Sequence, residues 1–334
     1  MPFGQGAPIG GVGRNSALSA PGGGAIAAEG LVAVDGRWLK DRGASPAAVT
    51  SHYDVGNDFF GLWLDSELVY TAGLWESPGD ESDLEAAQRR KIDYYLDALR
   101  LAPGARLLDI GCGWGAALRR ACTTHRASAA VGLTLSPSQR AFAQSRPCRG
   151  ADVRVQDWVD FEPEALFDGI ISIEAIEAFA RRGLSRREKV RIYRALFERA
   201  HSWLLPSGHF GLQMITYGAA GPDQFDQFIA DVIFPESDLP QLSEVIEASE
   251  GLFELVSLRN DRQDYVRTLR LWLARLKAAR AEACTVAPPE VAKRFEDYLR
   301  LSWRMFGSGA CDLHRLVLRR IDRPRRAPVG SPTP

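Results

Sequence analysis

Leu107–Leu108–Asp109–Ile110–Gly111–Cys112–Gly113–Trp114–Gly115 reads as a buried strand that runs into a tight turn. The apolar run after Arg106 has the character of a parallel strand covered on both faces. It ends in Asp109 and three alternate glycines, and Ala116 to His125 follow as a helix. Strand, glycine turn and helix form the nucleotide-binding opening of a doubly wound α/β fold. Glycines are needed there because the backbone must turn sharply and let a ligand come close. The spacing is GxGxG, not the GxGxxG of nicotinamide sites, and no lysine follows where a triphosphate loop needs one. An acid just ahead of the glycines suits a ligand with an amino group. S-adenosylmethionine (SAM), a sulfonium with an amino acid tail, meets that demand and is the expected cofactor. The bland alternative is a glycine-rich strand-to-helix turn.

Working outward, the 334 residues allow one large domain or two of ordinary size. A hydrophobic content of 46% is enough to bury a real core. The formal charge of −1 gives no basic field for nucleic acid or an anionic membrane. A weakly polar or apolar small substrate stays open. The five cysteines, at 112, 122, 148, 284 and 311, show no CxxC pair or Cys/His cluster, so no metal site is expected. A reduced, cytoplasmic setting is the simple reading. No apolar run approaches the roughly 20 residues of a membrane span, and the N-terminus lacks a secretory profile.

Residues 1–46 are rich in Gly, Ala and Pro and read as a disordered tail, with one ordered patch near Leu31–Leu39. Order is expected from Val49. His52–Tyr53–Asp54–Val55–Gly56–Asn57–Asp58–Phe59–Phe60, Leu62–Trp63–Leu64 and Tyr70–Thr71–Ala72–Gly73–Leu74–Trp75 are dense in aromatics. They suggest a helical lid over residues 47–101; plain packing of N-terminal helices is the alternative. Leu84 to Leu101 has helical spacing, with Asp83 or Ser82 as its cap.

Further strands are expected at Ala129–Leu133, Val153–Val155, Phe167–Ile173, His209–Ile215, Phe253–Leu258 and Leu313–Leu318. The second closes on Thr134 and Gln139, with Thr134 where a nicotinamide enzyme would place an acid. The third ends in Asp157–Trp158, an acid and an aromatic suited to an adenine edge and face. Residues 216–250, with Phe225, Phe228, Ile233–Phe234–Pro235 and Leu239–Pro240, suit an inserted cap. The domain is expected to span 47–322, with a basic, proline-bearing tail at 323–334.

Glu174–Ala175–Ile176–Glu177–Ala178–Phe179 follows the fourth strand directly, at the sheet edge where such folds bind ligands. Glu174 and Glu177 are three apart, so one helical turn puts both on one side. Two carboxylates on an apolar stretch point to a general base with a raised pKa. The alternative is acidic charge favoured by a helix N-terminus.

Taken together, the segment His52–Phe60, Tyr70–Thr71, the Gly111 loop with Trp114, and Thr134–Leu135–Ser136 with Gln139 closely resemble the cyclopropane-fatty-acyl-phospholipid synthase family. That family includes the mycolic acid cyclopropane synthases and relatives that simply methylate carbon or nitrogen. Ile233–Phe234–Pro235, Leu239–Pro240 and Tyr265 with Thr268–Leu269 and Trp272 look like its later landmarks, so the resemblance covers roughly residues 50–320. It implies a class I SAM-dependent methyltransferase: a Rossmann-like α/β fold with a seven-stranded, mostly parallel sheet and a helical cap. Tyr70 and Thr71 would close over the methionine end. Asp109, Gly111, Gly113 and Gly115 would hold the amino acid and ribose. Thr134 and Gln139 would hold the ribose side, with Trp158 against the adenine.

Family cyclopropane synthases hold a bicarbonate ion among a cysteine, a glutamate, a histidine and a tyrosine. Glu177 and Tyr265 match. Ala72 stands at the cysteine position, Gln213 at the histidine position, Ala178 at the histidine after the glutamate, and Ser302 at a second cysteine position. These departures put bicarbonate and ring closure in question. The expected base is therefore a protein carboxylate, Glu177 with Glu174 beside it, with Tyr265 orienting base or substrate.

The expected activity is C-methylation of a small natural-product or lipid-like acceptor. A cyclopropane or methyl-branched fatty acid synthase acting on phospholipid acyl chains, an N-methyltransferase and a non-catalytic SAM-binding protein stay open. So does a homo-oligomer, and membrane contact follows only from a lipid substrate.

Overall fold

Side-chain alternation along the central strand decides what each layer of the sheet covers. The computed structural model describes residue 39 and residues 42–53, 55–77, 83–221, 233 and 236–322. In chain order its elements begin with α1 (Pro46–Tyr53), α2 (Asn57–Gly61), α3 (Leu84–Ala98), β1 (Arg106–Ile110), α4 (Ala116–Thr123), β2 (Ala129–Thr134) and α5 (Pro137–Ser145). They continue with β3 (Ala151–Val155), β4 (Phe167–Ile173), α6 (Arg186–Trp203), β5 (Leu204–Tyr217), α7 (Leu242–Ser249) and β6 (Phe253–Asn260). The last are α8 (Arg262–Ala278), α9 (Arg280–Val286), α10 (Pro289–Ser308) and β7 (Cys311–Arg320).

The seven strands are ordered β3-β2-β1-β4-β5-β7-β6. β3 through β5 are parallel, and β7 runs antiparallel to both β5 and β6. This is the expected mostly parallel sheet. Successive residues of a strand face opposite sides. Leu107 thus joins the core under α3 and α4, while Leu108 and Ile110 join the core under α6 and α7. Asp109 shares the parity of Leu107, so its carboxyl opens toward the α3 layer. The order reverses at β1, between β2 and β4, and a crevice forms beyond the carboxyl ends of those strands.

A separate apolar cluster joins α2, α8 and α10 into a helical cap. It is an aromatic interlock: Phe59 lies 5.1 Å from Phe295, and Trp63 lies 5.7 Å from Trp272, both edge-on. Edge-to-face contacts of this kind suit the ring quadrupole. Phe59, Phe60 and Trp63 are fully buried in it, so these aromatics of the expected lid are cap core. Among the described helices none is long and apolar enough to cross a membrane.

The structure moves two expected boundaries. Order begins before Val49. Arg42 is buried and donates to both Asp157 oxygens at 2.8 and 3.1 Å, and the Ala44 N–H donates to Ala178 O at 2.9 Å. Gly43 is pressed so close that a Cβ there would sit 2.2 Å from Ala178 O. The C-terminal part of the span 216–250, expected as a cap, is also placed differently. Val245 and Ala248 of α7 pack into the core beside α6, so 242–249 belongs to the sheet's own helical layer. Phe225, Phe228, Phe234, Pro235, Asp54, Ser82 and residues 1–38 and 323–334 lie outside the described residues, as does the side chain of His52.

Candidate active site

A cavity of about 290 Å³ opens where β1 and β4 part, walled by the glycine turn, the cap and the β4 edge. Gly111 and Gly113 are left-handed, with φ of 85° and 53°. Gly111 has a second constraint: a Cβ there would meet Ala175 Cβ at 2.4 Å. The turn after β1 and the turn after β4 therefore close on each other with no room for a side chain.

Tyr70, Thr71, Asp109, Gly111, Gly113, Thr134, Gln139, Glu174, Glu177 and Tyr265, all expected from the sequence, lie on the cavity wall. The Thr134 hydroxyl donates to Gln139 Oε1 at 2.6 Å, tying the end of β2 to α5. Asp109 Oδ1 is buried with no hydrogen-bond donor among the described residues. Burial pushes its carboxyl up to about 7, against the pull of Lys91. A buried acceptor left open in this way fits the ammonium of an amino acid ligand. On that observation the residues present fit SAM.

Four expected positions are placed elsewhere. Gly115 is off the cavity wall and caps α4 in a left-handed conformation, φ 81°. Gln213 is fully buried behind Glu174 rather than on the wall. Asp157 and Trp158 are also off it. Asp157 is taken by Arg42 and by the Val159 N–H at 3.0 Å, and the Arg42 guanidinium lies 4.6 Å over the Trp158 ring. Arg42 thus contacts both of these strand-end residues.

The chemistry concentrates on Glu174. It is a non-glycine residue at φ 51°, a strained conformation of the kind that clusters at functional sites. The turn delivers its carboxylate to three donors. Oε1 accepts from the Ala72 N–H at 2.9 Å and from Gln213 Nε2 at 2.6 Å, and Oε2 accepts from the Tyr265 hydroxyl at 2.8 Å. Gln213 can only donate here, because Arg315 Nε donates to its Oε1 at 2.9 Å. Arg315 is fully buried and is itself held by Asp261, by Asp264 at 3.1 Å and by Gly73 O at 2.8 Å. A guanidinium has no acceptor, so this chain of bonds runs in one direction, from Arg315 to Glu174. Burial raises the Glu174 pKa, while the Ala72 N–H, Lys91, Gln213 and Tyr265 all oppose the rise.

Glu177 has the opposite environment. Oε1 accepts the Ile215 N–H at 2.5 Å, and Oε2 is buried without a donor among the described residues. Burial first, and the Glu174 charge second, push Glu177 up to about 8. Its backbone is pinned from the cap side. The Asp238 N–H donates to Glu177 O at 3.1 Å, and the buried Lys189 holds Asp238 at 2.9 Å and Leu239 O at 2.7 Å. Burial raises both carboxyls, but the donors and Lys91 around Glu174 oppose the rise, whereas the Glu174 charge adds to that of Glu177.

Ala72, Gln213 and Tyr265, three of the four positions that would surround a bicarbonate by the family resemblance, all donate to Glu174. The residues present therefore do not fit that ion: a side-chain carboxylate stands where it would sit.

Sequence reading missed Lys91, Arg315, Asp238 and the Asn57–Trp114 bond of 2.6 Å. Lys91 did carry a signal. It follows Ala87 by four and precedes Tyr95 by four on the buried face of α3.

Glu177 also makes a stability prediction. Folded, it keeps its proton up to about 8; unfolded, it releases it near 4.5. The folded state thus binds more protons between those values, and its stability falls as pH rises through that window. In ligand-free protein, Glu177→Gln keeps the Ile215 contact and removes the penalty. Its Tm by calorimetry is expected several degrees above wild type at the upper end of the window and level with it at the lower end. Equal Tm values throughout would refute the raised pKa.

Residues 41–316 match the family described as mycolic acid cyclopropane synthetase. Among curated relatives, the S-adenosylmethionine-dependent methyltransferase UmaA of Mycobacterium tuberculosis is 32% identical over 286 residues, 80% of this chain and 95% of UmaA. Cyclopropane mycolic acid synthase MmaA2 of M. tuberculosis is 35% identical over 288 residues, 81% of this chain and 96% of its own. The solved structure of MmaA2 superposes with a TM-score of 0.74 over 83% of this chain and 99% of that one. The mycolic acid cyclopropane synthase CmaA1, complexed with SAH and CTAB, gives the same TM-score and coverage at 33% identity.

Proposed function

This chain belongs to the mycolic acid cyclopropane synthetase family and is a SAM-dependent methyltransferase; on that premise we propose that it methylates an unsaturated carbon of a lipid-like acyl acceptor, with Glu174 as the proton acceptor. The observation that carries this reading is the Glu174 carboxylate, fixed by three donors on the wall of a cavity with a largely apolar lining. The lipid names of the relatives, MmaA2 among them, support an acyl chain over a compact polar natural product. The expected N-methylation alternative gains nothing from the site, because an amine nucleophile leaves no carbocation to deprotonate.

SAM, when bound, supplies an electrophilic methyl group on a sulfonium. The protein's own work is to exclude water, hold the acceptor and manage charge. When the π pair of an alkene bonds one of its carbons to the methyl group, the partner carbon becomes a carbocation, and a C–H bond near that cation must then give its electron pair to it while the proton goes to a base. Loss of that proton from the new methyl group closes a three-membered ring; loss from the adjacent chain carbon leaves a methyl-branched alkene. Glu174 is the group suited to take it. Its donors favour the ionised form, and Tyr265 and Gln213 hold both oxygens in place. Aromatic rings around the site, such as Tyr265 with Phe306 at 4.4 Å, offer π faces to the cation.

Glu177 serves as the neutral partner. Asp109 and Glu174 carry two negative charges, and Lys91 with a net cationic cofactor carries two positive ones. The assembly is neutral when Glu177 keeps its proton. This reading departs from the sequence expectation, which put the base on Glu177. The direct test is expression of the chain in a host with unsaturated phospholipids, followed by mass spectrometry of the extracted lipids. Acyl chains heavier by one CH2 unit are expected. Lipids identical with and without expression, alongside methylation of a non-lipid metabolite, would overturn the acceptor class.

A further inference from the structure

An amphipathic helix should keep its charges on the outer face, yet α3 carries a lysine inward. Lys91 shares the buried face of α3 with Leu84, Ala87 and Tyr95, is fully buried and reaches the cavity wall. Its ammonium donates to Thr71 Oγ1, makes no other hydrogen bond among the described residues and forms no ion pair there within 4 Å. Thr71 lies on the same wall. An ammonium has three protons to place, and a buried one with a single protein acceptor is costly unless something else accepts. Asp109, on the same wall, is its mirror image: a buried carboxyl with an open Oδ1. One wall thus presents an under-partnered cation and an under-partnered anion, side by side with a hydroxyl that accepts from the cation and keeps its own proton to donate.

That pattern is complementary to an α-amino acid group. We propose that Lys91, assisted by the Thr71 hydroxyl, binds the α-carboxylate of the methionine part of SAM, while Asp109 takes its α-ammonium. The competing account is that Lys91 is only a buried counter-charge for Asp109 and Glu174. That account has the burden of explaining why neither carboxylate comes within ion-pair distance. The proposal rests on the SAM cofactor and is independent of which carboxyl accepts the proton.

The test is calorimetric binding to the full chain, without turnover. The probes are S-adenosylhomocysteine and its decarboxylated analogue, which differ only in the carboxylate. Wild type is expected to bind the intact compound about 10- to 100-fold more tightly. Lys91→Met is expected to lose that advantage by weakening the intact compound alone, with the analogue's affinity within about threefold of wild type. Lys91→Gln, which keeps a donor toward Thr71, provides the same comparison if the Met variant does not fold. Equal affinities of the two probes for wild type would overturn the proposal, as would equal weakening of both by either variant.

Discussion

Glu174→Gln is expected to lower kcat by about 10²- to 10⁴-fold, the usual contribution of a positioned general base, while leaving SAH affinity within about threefold. The amide keeps the size of the side chain and an acceptor for Ala72 and Gln213, so the fold and cofactor cleft are preserved. It cannot take a proton. Glu177→Gln is expected to cost far less, because the wild-type group is already neutral in the proposed charge balance, and to shift the alkaline limb of the pH–rate profile. If Glu177→Gln loses the larger factor, the two roles are reversed and the base is Glu177.

A second variant isolates the seat from the side chain. Glu174 stands at φ 51°, a conformation glycine adopts without strain. Glu174→Gly should therefore fold well and empty a place still lined by the Ala72 N–H, Gln213 and Tyr265. In carbonate-free buffer it is expected to be inactive, and added bicarbonate or formate should restore part of the rate. Full activity of the glycine variant without any added anion would remove Glu174 from the mechanism.

The other large effect lies at the cofactor end. Asp109→Asn is expected to weaken SAM and SAH by about 10- to 100-fold, the loss of a buried charge-assisted hydrogen bond. Burial holds the Asp109 pKa up to about 7, so ionisation of its carboxyl contributes a rise in affinity as pH increases through that value, opposed by Lys91, which burial pulls down to about 7. Below it the ligand ammonium meets a neutral acid. The asparagine variant should lack this contribution. Isothermal titration across the neutral range tests both statements, and an unchanged affinity in the variant would show that the open Oδ1 does not face the ligand's amino group.

Local pattern carried most of the architecture. An apolar strand, three alternate glycines and a helix can be read from Leu107 to Thr123 because each is a short-range preference: burial, left-handed backbone, helical period. The same holds for the Asp83 cap of α3, whose carboxylate accepts the Ala86 N–H at 2.7 Å. The two glutamates after β4 were visible as charges out of place in an apolar run. What the sequence could not rank was which of them does what, since their spacing is symmetric and their residue types identical.

Ranking them took partners that lie far away along the chain. Ala72 precedes Glu174 by 102 residues, Tyr265 follows it by 91, and Arg315, which orients Gln213, belongs to the last strand. The surroundings of Trp158 were out of reach of the sequence for the same kind of reason: Arg42, more than a hundred positions earlier, lies over its ring. One-dimensional pattern thus carried the cofactor fold and most of the residues that line the cleft. The proposed roles of acid, base and carboxylate ligand rest on the fold, because a pKa depends on desolvation and on donors within hydrogen-bond reach, and those are supplied by segments that only folding brings together.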